Sequence, residues 1–165
     1  MRWAEFAREA PELAALSRRL LEANSLAMLG TIRRDGSARI SPCEVYFVQD
    51  DLLLGMMWQS KKAQDLVRDP RIVVHSAVST KDNLDGDAKL YGRAVDVPDP
   101  ALRSAYSDTL QAAIDWRPTE PYHLFALDVE QAGFIRFERD PIVMRWTPAG
   151  GVERLPHPDE DTASS

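Results

Sequence analysis

Turn signals set the frame of this chain. Asp35-Gly36, a dipeptide suited to the positive-φ positions of a tight hairpin, stands between two β-type runs, Ser25 to Arg33 and Ser37 to Val48. Gln49-Asp50-Asp51 then turns the chain into Leu52-Leu53-Leu54-Gly55-Met56-Met57-Trp58, so three antiparallel strands come first. Few of them alternate cleanly. Leu26, Met28 and Ile32 on one face stand against Ala27 and Leu29 on the other. Short antiparallel strands apolar on both faces fit a closed or split barrel better than an open sheet with one wet face. Helices or a partner subunit would cover the outer wall.

The remaining elements follow from periodicity and breakers. Pro11-Glu12 opens a helix with Leu13, Leu16, Leu20 and Leu21 on one side, ending near Asn24. A short helix runs from Ser60 to about Arg68 and stops before Asp69-Pro70, because the residue before proline is pushed out of the helical region. Arg71 to Val78 and Asp87 to Val97 read as strands. After Pro98 and Pro100, Leu102, Tyr106, Leu110 and Ile114 mark another amphipathic helix. Tyr122 to Val129, Gly133 to Phe137 and Ile142 to Trp146 complete a mainly β fold with α: about six to seven antiparallel strands, an N-terminal helix, a helix after strand 3 and a helix after strand 5. Residues 1–147 read as a single domain. Residues 148–165, rich in Gly, Pro and acidic residues, read as a flexible tail.

Charge and composition exclude several classes. The 165 residues carry a formal charge of −6 with the cations scattered, which argues against a general nucleic-acid binder. One cysteine, Cys43, excludes an internal disulfide and a cysteine-rich metal site, and suits a reducing compartment. The opening Met1-Arg2-Trp3-Ala4-Glu5-Phe6 has an early acidic residue and no long apolar run, so neither a signal peptide nor a membrane anchor is expected, and the cytoplasm is the expected location.

The stretch Trp58-Gln59-Ser60-Lys61-Lys62 carries the most chemistry. Where an apolar strand becomes a helix, Ser60 is placed to cap the free N–H groups of the first turn, and the helix dipole with Lys61 and Lys62 favours an anion. A phosphorylated small molecule is the expected guest. Taken alone, the same residues read as a capped and solvated helix start. Met56, Met57 and Trp58 read first as packing, Cys43 as a small buried hydrophobe, and His75 as a satisfied barrel histidine. Two unpaired histidines, His75 and His123, do not make a metal site, so none is expected. The loop Lys81-Asp82-Asn83-Leu84-Asp85-Gly86-Asp87 has lysine at the first ligand position of a calcium loop and reads as a turn. No motif for nucleophilic or acid–base hydrolysis stands out.

Three segments together carry a resemblance. Leu29-Gly30-Thr31-Ile32-Arg33-Arg34-Asp35-Gly36-Ser37-Ala38-Arg39-Ile40-Ser41-Pro42, Ser60-Lys61-Lys62-Ala63-Gln64-Asp65-Leu66 and Arg68-Asp69-Pro70-Arg71-Ile72, followed by Leu90-Tyr91-Gly92-Arg93-Ala94, resemble in order and spacing the pyridoxamine 5′-phosphate oxidase-like split barrels that bind FMN. The resemblance covers roughly residues 20–97. It implies a split β-barrel, a homodimer with cofactor at the subunit interface and a small-molecule substrate; charge and composition argue against a nucleic-acid or membrane partner. Arg39, Ile40, Ser41 and Pro42 match the strand along the flavin, Met57 and Trp58 the next strand, Ser60, Lys61 and Lys62 the phosphate turn, and Trp146 an aromatic residue supplied from the partner chain.

Three departures qualify the match. The chain closes with Leu155-Pro156-His157-Pro158-Asp159-Glu160-Asp161 in place of the arginine and histidine of vitamin B6 oxidases, which argues against pyridoxamine phosphate as substrate. Glu44 stands close to where the oxidases carry a lysine. Lys61 replaces an arginine, losing the bidentate fork while keeping the charge. The resemblance thus implies an FMN-dependent oxidoreductase with no required catalytic side chain. The alternatives are an F420-dependent reductase, with Arg33, Arg34 and Arg39 as a basic groove for the longer anionic tail, and a non-catalytic flavin or haem carrier using His75 or His123.

Overall fold

Two helices precede the first strand, where the sequence suggests one. The computed structural model describes residues 1–78, 84–137 and 141–156. Helix α1 (Trp3–Glu9) buries Trp3 and Phe6. The chain leaves helical geometry at Ala10, which precedes a proline, and restarts with Pro11 at the first position of α2 (Pro11–Asn24). Trp3 meets Phe47 edge-on at 4.7 Å and Phe6 meets Trp146 at 4.9 Å, so α1 seals one end of the barrel with aromatic rings.

The strands are β1 (Leu26–Ile32), β2 (Ala38–Val48), β3 (Asp51–Met57), β4 (Arg71–Ser76), β5 (Asp87–Asp96), β6 (Tyr122–Arg136), β7 (Ile142–Thr147) and β8 (Gly151–Arg154), with α3 (Lys61–Arg68) after β3 and α4 (Pro100–Ile114) after β5. Their order is β3-β2-β1-β4-β5-β6-β7-β8, and an additional β3–β6 pairing closes the first six strands into an antiparallel barrel. This is the mainly β, split-barrel class expected. Among the described residues no helix is long and apolar enough to cross a membrane.

Strand β6 is continuous where the sequence suggests a break. Tyr91 pairs with Gln131 and Gly92 with Val129, so Glu130 is an extra residue in a β-bulge, and its polar surroundings look like a turn in sequence. A Cβ on Gly92 would lie 1.8 Å from the Asp128 carbonyl oxygen, so only glycine lets the bulged strands approach. Strand β8 forms inside the segment expected to be a tail, pairing Val152 with Trp146. Residues 157–165, and Lys81 to Asn83 of the loop read as a turn, lie outside the described residues.

Apolar side chains on both strand faces have separate uses. Leu52 and Leu54 of β3 enter the barrel core beneath α1 and α2, while Leu53 joins Tyr46, Leu124 and α4's Leu102, Tyr106 and Leu110 in a second cluster outside the barrel wall. Leu26 and Met28 of β1 stay partly open at 36% each.

Candidate functional site

The start of α3 separates two recesses. Gln59 takes a left-handed conformation at φ 60°, Ser60 returns to extended geometry, and its carbonyl accepts the helix's first bond from the Gln64 N–H at 2.9 Å. The Ser60 hydroxyl makes no capping bond, contrary to the sequence expectation. The turn is tied instead by the Gln64 side chain, whose amide donates to the Gln59 carbonyl at 3.1 Å. Ser60 Oγ is left buried with no hydrogen-bond partner among the described residues.

On one side lies an apolar cavity of about 630 Å³. Pro42 and Cys43 of β2, Met56, Met57 and Trp58 at the end of β3, and Tyr106 of α4 form its walls, while Trp116 and Pro118 of the α4–β6 connection close it. Ser60, Lys62 and Glu44 supply polar groups. The Lys62 ammonium donates to the Pro42 carbonyl at 2.5 Å. A Cβ on Gly55 would sit 2.0 Å from the Tyr106 hydroxyl oxygen, so the glycine makes room for that ring.

On the other side is a cleft of about 750 Å³ lined by Arg33, Arg34, Arg39, Lys61, Gln64, Arg68 and the carboxylates of Asp35 and Asp65. Five cations face two anions. Lys61 and Lys62, adjacent in sequence, serve different recesses because consecutive helical residues diverge by about 100°. Arg39 and Thr31 are cross-strand partners in the β1–β2 ladder and so share a side, where both meet Asp65 of α3. Asp65 Oδ2 accepts from Thr31 Oγ1 at 3.0 Å and from Arg39 Nε at 2.6 Å, and Oδ1 faces Arg68 at 3.4 Å. Burial would raise the Asp65 pKa, but the bonds from Arg39 and Thr31 and the arginine charge outweigh it and hold the carboxyl below its ordinary value.

The site residues read from sequence therefore divide. Pro42, Met57, Trp58, Ser60 and Lys62 meet at the apolar cavity, and Arg39 and Lys61 at the basic cleft. Ile40 is 72% exposed and lines neither recess; Ser41 is half-buried on the Arg39 face of β2. Trp146 is 0% exposed, packed on Phe6 within its own barrel, and stands apart from the others. His123 stacks on Trp58 at 4.6 Å with its Nε2 buried and without a partner among the described residues, and His75 Nδ1 lies 2.7 Å from the Ser76 carbonyl. Sequence reasoning missed Asp65 and Arg68. The one available signal was Asp65 standing next to Leu66 on the buried face of a short amphipathic helix.

The sequence model of the pyridoxamine 5′-phosphate oxidase family matches residues 13–136. The chain belongs to this family. Solved structures of similar shape include a heme binding protein from Mycobacterium smegmatis, with TM-score 0.62 and 19% identity over 86% of this chain and 57% of that one. PhzG from Burkholderia lata 383, in complex with tetrahydrophenazine-1-carboxylic acid, aligns with TM-score 0.63 and 14% identity over 90% of this chain and 93% of its own. The heme storage protein HutZ from Vibrio cholerae gives 0.57 and 12% over 68% and 87%. This chain thus spans little more than half of the mycobacterial protein. At these identities the likeness establishes the shared split barrel. A search of curated proteins found no match.

Proposed function

We propose that this chain is an FMN-binding oxidoreductase acting on a small molecule, assembled as a homodimer with the cofactor at the subunit interface. The observation that carries the reading is the buried, unpartnered Ser60 hydroxyl at the start of α3, flanked by Lys61 toward a cationic cleft and Lys62 toward an apolar cavity. A phosphorylated ring compound needs that combination, and this family commonly binds flavin. Arg39 and Lys61 would hold the phosphate in the basic cleft, Ser60 and Lys62 would bind the cofactor at the α3 start where it passes toward the cavity, and Pro42, Met57 and Trp58 would lie beside the ring. Ile40 and Ser41 would support that strand. Bound flavin supplies hydride transfer, while the chain orients it and excludes water. Trp146 has no part in this reading, because its ring is consumed by the core.

The test is a flavin titration of the Ser60→Ala/Lys61→Ala double variant. FMN affinity is expected to fall at least about tenfold, the scale of losing hydrogen bonds to a charged group. Binding as tight as the parent's refutes the assignment. A second reading, the deazaflavin F420, is favoured by the arginines of the basic cleft, which suit a longer anionic tail. Parallel titration with FMN and F420 separates the two. A carrier of haem is the third reading, favoured by the orphaned Nε2 of His123 and by the two haem proteins among the similar structures; a Soret band in the purified protein would select it.

A further inference from the structure

We propose that Asp65 is a positioning residue for anion binding, fixing Arg39 and Arg68 so that their remaining N–H groups serve the basic cleft. The inference rests on the reading of that cleft as the seat of the cofactor's phosphate. Asp65 is 4% exposed on an eight-residue helix whose other buried residues are Ala63 and Leu66. A carboxylate at such a place must be fully bonded to be tolerated. It is bonded from three elements: Thr31 of β1, Arg39 of β2 and Arg68 of α3 itself.

The way Arg39 is bound matters more than the pairing. A side-on fork would engage Nε and one Nη together, yet Arg39 gives Asp65 only its Nε, at 2.6 Å. Both Nη groups have no protein partner among the described residues, on a side chain 23% exposed in the cleft. Arg68 is held twice, by Asp65 and by the Ile32 carbonyl, which leaves its guanidinium a fixed wall of the same cleft. Two stiff cations pay little ordering entropy when an anion arrives.

A competing account treats Asp65 as a counter-charge alone. The two accounts predict opposite signs. A negative charge beside an anion site repels the anion, so removing it should tighten binding if neutralisation is all it does. If Asp65 positions the arginines, removing its charge should weaken binding.

The experiment titrates the parent, Asp65→Asn and Thr31→Val with FMN and with riboflavin, which has the same ring and no phosphate. The Arg39 Nε–H resonance, assigned through Arg39→Lys, is recorded alongside. FMN affinity of Asp65→Asn is expected to fall about tenfold with riboflavin binding unchanged, and the Nε–H signal to broaden. Thr31→Val keeps the charge, removes one bond, and should lose less in the same direction; it also decides the matter if Asp65→Asn does not fold. Unchanged or tighter FMN binding overturns the inference. A parent that binds FMN no better than riboflavin overturns the cofactor reading instead. The inference is then judged with inorganic phosphate: a shift of the Arg39 resonance in the parent that weakens in Asp65→Asn supports it, and no shift, or equal shifts, overturns it.

Discussion

At the scale of single residues, Cys43 shows how burial sets chemistry in the apolar cavity. Its Sγ lies 3.4 Å from the Gly55 carbonyl, and burial pushes the thiol from 9.0 up to about 11, outweighing the nearby Lys62 charge. The thiol is therefore inert at neutral pH. An acid whose folded pKa is raised stabilises the fold fully below its unfolded value and loses that contribution as pH climbs through the folded one. Unfolding free energy is expected to decline between about pH 9 and pH 11 by roughly 2 kcal/mol, measured by urea denaturation at stepped pH. Cys43→Ala should decline less steeply. Tyr106, also pushed upward by burial, acts in the same direction at still higher pH. Tyr46 and Tyr122 are raised by burial as well, so an identical slope in the Cys43 variant would assign the effect to the tyrosines.

At the scale of elements, two helices that begin alike are capped differently. Asp99 caps α4 by accepting from the Ala101 N–H at 3.0 Å, whereas Ser60 caps α3 with backbone geometry alone. Asp99→Ala should cost about 1 kcal/mol in chemical denaturation. Ser60→Ala should leave stability unchanged or raise it slightly, because it breaks no cap bond and removes a buried hydroxyl that has no partner among the described residues. A large loss for the serine would mean its hydroxyl serves the fold and not a ligand. The elements legible in sequence are those with local causes: Gly36 adopts φ 84° in the hairpin turn, α3 ends before Pro70, and Leu102, Tyr106 and Leu110 are buried as their spacing implies. Helix α1 escaped because seven residues with two anchors have no period, and β8 because Gly151-Val152-Glu153-Arg154 offers one apolar side chain. Periodicity could mark Trp146 as apolar but not say that Phe6 would take its face. The proposed phosphate turn was legible as a charge cluster. Asp65 was not, since its role exists only once the β1–β2 register has set Thr31 opposite Arg39.

At the scale of the whole molecule, the exposed apolar side chains ask for a cover. Ile40 at 72%, Met57 at 80% and Trp58 at 52% are open, and the last two line the proposed cofactor cavity. Such exposure at a site suits a second copy that completes it. Sedimentation should give twice the chain mass of 18.5 kDa, and Ile40→Glu should lower both the dimer fraction and FMN affinity. A monomer that binds FMN as tightly as the parent would remove the partner from the site.

The β3–β6 pairing carries a cost in time. Leu53 to Met57 wait for Tyr122 to Ala126, and α3, β4, β5 and α4 must emerge from the ribosome in between. At about 5–20 residues per second the nascent chain holds that oily ribbon unzipped for several seconds. Until β6 arrives, the free edge of β3 is the seam at which the barrel still stands open.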